Sequence, residues 1–197
     1  MLETFVRHGS NALLLAVAGV LAVLFGAGAV AFVPLAAAVG ALVFFLSEYV
    51  THRFVLHARP VRHPFVLRLQ HRLHYDHHRD PSDLGLLFLP PWFVVPVVVL
   101  YLAVAYGTTR APGTSASALF GAVVALLYYE WVHYVAHVPY IPRTRFGRWM
   151  KKYHLWHHFK NERLWFGVTN PSIDFLAGSY RRAEDAPRSI STRILFR

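Results

Sequence analysis

Long apolar runs separated by short polar, basic stretches dominate the chain. Four runs cover about Asn11–Val33, Leu35–Phe54, Leu87–Tyr106 and Ser117–Val135. Each is near the roughly 20 residues that carry a helix across about 30 Å of hydrocarbon. Pro34 leaves almost no loop between the first two, which predicts a tight helical hairpin. Pro90, Pro91 and Pro96 are expected to bend or delay the third helix, and the Gly107–Gly113 stretch reads as a turn. Arg7 followed by an Ala-rich apolar run also fits a signal peptide. The run's length, and the second apolar stretch directly after it, favour a retained span.

Two further helices are expected between and after the spans. One runs from about Pro64 to Arg79, opening on proline at a first helical position and closing before Asp80-Pro81. The other runs from about Arg145 to Phe159 and places Phe146, Trp149, Met150 and Tyr153 on one face, suited to lying in a membrane interface. Residues 181–197 form a polar, basic tail expected to be loosely ordered. No repeat of fixed period is visible, although both halves follow one scheme: a pair of spans, then His-x-x-His-His.

The 197 residues fit a single domain, all-α, with four transmembrane helices and a helical cytoplasmic cap. A composition 55% hydrophobic and only 15% charged points away from soluble proteins. The formal net charge of +10 raises nucleic acid as a partner. Its distribution argues against that: one Lys or Arg precedes the first span, six lie in residues 51–90 and twelve follow Pro139, against Arg110 alone on the other side. Nineteen against one predicts cytoplasmic termini. The absence of cysteine excludes disulfides, thiolate ligands, iron–sulfur clusters and thiol nucleophiles, so any metal must be held by nitrogen and oxygen.

Ten of the thirteen histidines form four clusters: His52 and His57; His74, His77 and His78; His133 and His137; His154, His157 and His158. All four fall on the side that the basic residues mark as cytoplasmic, although the histidines played no part in that placement. Imidazole is the commonest metal ligand, and ten suffice for two ions with five apiece. On a helix the three histidines of His-x-x-His-His share a face, and His133 and His137 lie about 40° apart. His52 and His57 lie about 140° apart on an ideal helix, so they face one ion only if the helix distorts or ends between them. His8, His63 and His71 lack the pattern and read as surface residues.

Glu48 and Glu130 precede His52 and His133 by four and three residues within apolar spans. An acid in a span is costly, and the expected role is to accept the outer N–H of a ligating imidazole and fix its tautomer. Asp76, inside a cluster, is a further candidate for that role.

Residues 48–57 (Glu-Tyr-Val-Thr-His-Arg-Phe-Val-Leu-His), with the three later clusters, resemble the fatty acid hydroxylase superfamily, which includes sterol desaturases, sterol C4-methyl oxidases and fatty acid 2-hydroxylases. Phe88-Leu-Pro-Pro91 and Tyr129-Glu-Trp-Val-His-Tyr-Val-Ala-His137 are most similar to the 2-hydroxylase branch, and Trp165-Phe-Gly-Val-Thr169 fits the wider family. The resemblance covers about residues 44–180. Two features depart from that branch: no segment here reads as the cytochrome b5 domain often fused to the eukaryotic enzymes, and Glu130 stands where aspartate is usual. The short length and Tyr140-Ile-Pro-Arg143 also resemble bacterial carotenoid ring hydroxylases.

The resemblance implies a membrane monooxygenase that uses two ions, iron expected, and O₂ as co-substrate to hydroxylate an acyl chain. Zinc can occupy such a nitrogen site in a purified sample. No flavin or nicotinamide fingerprint is present, so electrons are expected from an external carrier, cytochrome b5-like or ferredoxin-like, docking near Arg148, Lys151 and Lys152. Those charges suit anionic headgroups equally well. A lipid or sterol desaturase, a carotenoid ring hydroxylase and a zinc-dependent membrane hydrolase stay open as alternatives. A histidine-relay transporter is disfavoured, because the clusters gather on one side.

Overall fold

The computed structural model describes residues 1–195, and all of their regular structure is helical. In chain order the helices are α1 (Leu2–Arg7), α2 (Gly9–Gly26), α3 (Pro34–Val50), π1 (Thr51–Leu56), α4 (Pro64–Gln70), π2 (His71–Tyr75), α5 (Asp76–Arg79), α6 (Leu84–Leu87), α7 (Pro91–Thr109), α8 (Pro112–His137), α9 (Arg145–Phe159) and α10 (Ser172–Leu176). Four helical stretches are long and apolar enough to cross a membrane: Gly9–Gly26, Pro34–Leu56, Leu84–Thr109 and Pro112–His137.

Local chemistry sets several of the boundaries. The first apolar run stops being helical at Gly26, because Gly28 adopts a left-handed conformation (φ 68°) that closes the turn. The expected tight hairpin is therefore a seven-residue connection, and Pro34 opens α3 at the position where its missing N–H costs nothing. Pro90 and Pro91 delay the third long helix as expected: α6 ends at Leu87, and α7 restarts with Pro91 in its first turn. Thr144 caps α9 by accepting from the Gly147 amide at 3.0 Å.

The chain divides into two compact units, Met1–Phe45 with Leu89–Glu130, and Leu46–Phe88 with Trp131–Arg197. In the first, Leu14, Val94, Leu119, Val123 and Leu126 form the buried centre. There α3 and α8 meet at small residues. A methyl group added at Gly40 would lie 2.0 Å from the Ala118 carbonyl oxygen, and one at Gly121 only 1.9 Å from that of Ala37. Such close backbone approach is the way apolar helices associate without a hydrophobic driving force between them. The outer faces stay apolar, with Leu42, Val43, Val99, Leu100 and Val104 exposed, as a bilayer requires.

The second unit has a different interior. Tyr153, Trp165 and Ala186 form one apolar cluster, flanked by Trp149, Trp156 and Tyr180. The apolar face of α9 contributes to this interior: Met150 and Tyr153 are buried and Trp149 is half-buried, whereas Phe146 of the expected stripe is exposed. In the tail, Ala186, Thr192 and Leu195 are buried, Ser189 N donates to the Lys160 carbonyl at 2.8 Å and Asn161 Nδ2 to that of Pro187 at 3.1 Å. Residues 196–197 lie outside the described part.

Candidate metal centre

All ten clustered histidines lie in the second unit, gathered into two groups of five. The first comprises His52, His57, His74, His78 and His157; the second His77, His133, His137, His154 and His158. Within each group the facing nitrogens lie within 4.8 Å of one another. The Nε2 atom of His57 stands 2.7 Å from that of His74 and 3.0 Å from that of His157. In the second group the Nε2 pairs are His77 with His133 at 3.0 Å and His137 with His154 at 2.9 Å.

The partition follows a rule. Each His-x-x-His-His gives its i and i+4 histidines to one group and its i+3 histidine to the other. Residues four apart on a helix differ by about 40°, whereas the adjacent pair at i+3 and i+4 diverges by about 100°. The expected common face is therefore split: His77 crosses to the second group and His157 to the first. The groups adjoin, with the His78 and His158 rings stacked at 4.2 Å between centroids.

The His52 and His57 problem is solved by the backbone. Residues 51–56 wind as a π-helix, and the His57 amide donates to the His52 carbonyl at 3.0 Å, an i to i+5 bond. The wider turn brings residues five apart onto one face. A second π-turn, at residues 71–75, accompanies the first His-x-x-His-His.

Backbone carbonyls orient the rings of the first group. His52 Nδ1 is 2.5 Å from the Phe166 oxygen, His157 Nδ1 is 2.7 Å from that of Leu164, and His78 Nδ1 is 3.0 Å from that of Thr192. An Nδ1–H donated to a carbonyl leaves the Nε2 lone pair free for a metal. Two of these carbonyls flank Trp165, a fully buried residue in the left-handed region (φ 60°) that large side chains rarely enter. Its amide donates to Ser179 O at 3.0 Å and its indole to Arg181 O at 2.9 Å, so the surrounding structure enforces the conformation.

The two carboxylates singled out in the sequence make other contacts. Glu48, buried, accepts from the Thr169 amide at 3.0 Å and from the Thr169 hydroxyl, so it grips the Trp165–Thr169 segment and not an imidazole. Glu130 accepts from the Leu89 amide at 3.2 Å. A side chain one helical turn from a histidine shares its face but can still point to a neighbouring segment. Asp76 pairs with His71 at 3.0 Å on the surface, which accounts for both. A carboxylate the sequence reading missed, fully buried Asp174, binds the Phe166 and Gly167 amides at 2.9 and 2.7 Å and the Ser179 hydroxyl at 2.6 Å. One sequence signal was available: an acid just after Trp-Phe-Gly-Val-Thr.

Of the basic residues offered as a docking face, two have structural work. Lys151 Nζ donates to the carbonyls of Val135, Val138 and Tyr140 at 2.9, 2.6 and 3.1 Å, capping the end of α8 that carries His133 and His137. Arg148 binds the Pro142 and Arg143 carbonyls at 3.1 and 2.6 Å, and Lys152 is left exposed. Lys151→Met is expected to cost about 1–3 kcal/mol of stability, because charge-assisted hydrogen bonds to those carbonyls are lost. Thermal unfolding of the purified protein measures it, and an unchanged midpoint would contradict the capping role.

Each group suits a metal ion. A metal–imidazole bond of about 2.0–2.1 Å keeps any two ligands of one ion within about 4.2 Å, so shifts of a few tenths of an ångström close each set. Burial, followed by repulsion between neighbouring imidazoles, holds His57, His74, His77, His154, His157 and His158 well below the ordinary imidazole range. They are neutral, the form that binds metals. Neither ring nitrogen of buried His158, nor Nε2 of His78, has a hydrogen-bond partner among the described residues. Polar atoms buried without partners are costly, and a bound cation relieves that cost.

The profile of the fatty acid hydroxylase family matches residues 37–179. The chain belongs to the fatty acid hydroxylase family. Among curated relatives of this hydroxylase-family chain, the "Ceramide very long chain fatty acid hydroxylase SCS7" of Saccharomyces cerevisiae is 34% identical over 156 residues, 77% of this chain and 39% of that protein. The "Fatty acid 2-hydroxylase" of Rattus norvegicus is 29% identical over 138 residues, 69% of this chain and 37% of that protein. The "Dihydroceramide fatty acyl 2-hydroxylase FAH2" of Arabidopsis thaliana is 30% identical over 148 residues, 75% of this chain and 61% of that protein. The chain thus spans 37–61% of the length of these relatives. The solved structure "Full length scs7p (only hydroxylase domain visible)" superposes with a TM-score of 0.72 at 30% identity, covering 90% of this chain and 65% of that one.

Proposed function

We propose that the protein is an O₂-dependent membrane hydroxylase that inserts one oxygen atom into a C–H bond of a lipid acyl chain near its carboxyl end. The observation that carries the reading is the pair of adjoining five-histidine groups, in a family whose curated relatives include a protein named as a fatty acid 2-hydroxylase and one named as a ceramide very long chain fatty acid hydroxylase. All ten histidines are assigned as ligands, five to each of two ions. Iron is the metal proposed; when reduced, a pair of iron ions supplies the activation of O₂ that protein side chains cannot. Nitrogen sites bind zinc more tightly than iron(II), so zinc in a purified sample is compatible with this assignment.

The chain's own part is to hold the ten imidazoles in place and bring an acyl chain to them. Glu48 and Glu130 are assigned to support, the first through the segment that presents the Phe166 carbonyl to His52. The nineteen-to-one distribution of basic residues supports both termini and the metal site facing the cytoplasm, where an external one-electron carrier would dock. Hydrolysis by a zinc-bound water fits less well, because three protein ligands and an open position suffice for it.

Comparing lipid extracts from cells with and without the protein, by mass, tests the reading. A gain of about 16 mass units on an acyl chain, the mass of one oxygen atom, is expected from a monooxygenase. A loss of two hydrogens would assign a desaturase instead, and an unchanged acyl profile would contradict both.

A further inference from the structure

The second unit contains a cavity of about 850 Å³ that reaches one of the proposed ligands. His57 and Phe166 line it, and His57 is the least buried histidine of the first group. The other walls carry Arg53, Arg59, Glu162 and Arg163 among apolar side chains, with Ile194 and Leu195 of the C-terminal tail on one side. The cavity therefore combines an apolar lining, a strong excess of positive charge and direct access to a ligating ring.

The charges do not cancel. Arg53 is occupied: it donates to the Tyr49 hydroxyl at 2.5 Å and the Ala177 carbonyl at 3.2 Å, and it lies over the Phe166 and Phe54 rings at 5.5 and 5.2 Å. Glu162 is occupied as well. One of its oxygens accepts from the Ser189 and Ser191 hydroxyls at 3.0 and 2.7 Å, and Arg163 approaches that oxygen only to 3.7 Å, with its own side chain 82% exposed. Arg59 is exposed and has no carboxylate partner among the described residues. Besides the occupied Arg53, the guanidinium groups of Arg59 and Arg163 thus line the cavity, and Glu162, taken up by its two serines, is the one carboxylate on its wall. A guanidinium beside apolar walls matches a carboxylate or phosphate in shape and charge.

We propose that this cavity receives the head of the acyl substrate, and that the head carries an acidic group, a carboxylate or a phosphate ester, held by Arg59 and Arg163. The inference rests on the acyl hydroxylase reading and adds the chemical class of the substrate. With the acidic group held at the arginines, the carbons next to the head lie beside His57. The rest of the chain leaves along exposed Phe54 and Ile194. The position of attack near the carboxyl end then follows from where the head is gripped.

The test is equilibrium binding to the metal-loaded full chain in neutral detergent, without reductant, so that binding is read apart from turnover. The probes are radiolabelled palmitic acid, a palmitoyl lipid with a phosphomonoester head, and a neutral N-palmitoyl sphingoid base. At least one acidic probe is expected to bind about ten-fold or more tightly than the neutral one, the scale of a charge-assisted contact, and the tighter of the two acidic probes identifies carboxylate or phosphate. The double variant Arg59→Gln/Arg163→Gln, both surface positions, is expected to lose that preference while keeping its metal and its affinity for the neutral lipid. Equal binding of acidic and neutral probes, or a preference that survives in the double variant, would overturn the inference and leave the hydroxylase reading intact. Failure of every probe to bind would count against the hydroxylase reading itself.

Discussion

Replacing His157 and His158 together with alanine is expected to lower the metal content of both sites and abolish turnover. The two residues are neighbours in sequence but belong to different groups, His157 to the first and His158 to the second. Each group drops from five ligands to four. Loss of a mere orienting partner lowers metal affinity or activity about 10- to 100-fold, and loss of a ligand itself should cost at least that. The contrasting variant is His74→Ala/His78→Ala, which takes two ligands from the first group and none from the second. Metal analysis should then find about one ion per chain, since the second set keeps all five of its imidazoles. The partition would be wrong if the two double variants lost metal in the same pattern.

The second large effect is expected at Asp174, which reaches no imidazole. Its carboxylate holds the Phe166 and Gly167 amides, and the Phe166 carbonyl in turn meets His52. Asp174→Asn keeps the shape but turns one acceptor into a donor, so one of those amides loses its partner in a buried site. The segment through Trp165 is already held in a rarely adopted conformation, and weakening its anchor lets it relax. The first metal site should lose affinity by about 10- to 100-fold while the second stays within a few-fold of the parent. Titrating each variant with metal in the presence of a chelator separates the two sites. Equal weakening of both would point to general destabilisation instead.

Much of this organisation is legible in the sequence because hydrophobic length and histidine spacing are local signals. The four apolar stretches and the Arg145–Phe159 helix are read directly from composition and period, and so is the gathering of ten histidines. What escapes a linear reading depends on tertiary partners. The π-turns at residues 51–56 and 71–75 have no simple sequence signature, yet the first lets His52 and His57 share a group. The crossing of His77 and His157 requires two helices to face each other, which spacing within one helix does not reveal. Carbonyl partners such as Leu164, Phe166 and Thr192 are invisible in the sequence because every residue has a carbonyl. Lys151 illustrates the converse: a charged residue that reads as a docking contact is taken up by a helix end.

The most direct measurement supplies the reconstituted protein with iron, a reducing system, ¹⁸O-labelled O₂ and acyl lipids, and follows the label by mass spectrometry. The account predicts one labelled oxygen in a hydroxyl group near the carboxyl end of the acyl chain, and no product without O₂ or without iron. A product formed in the absence of O₂, or one whose new oxygen comes from water, would contradict it.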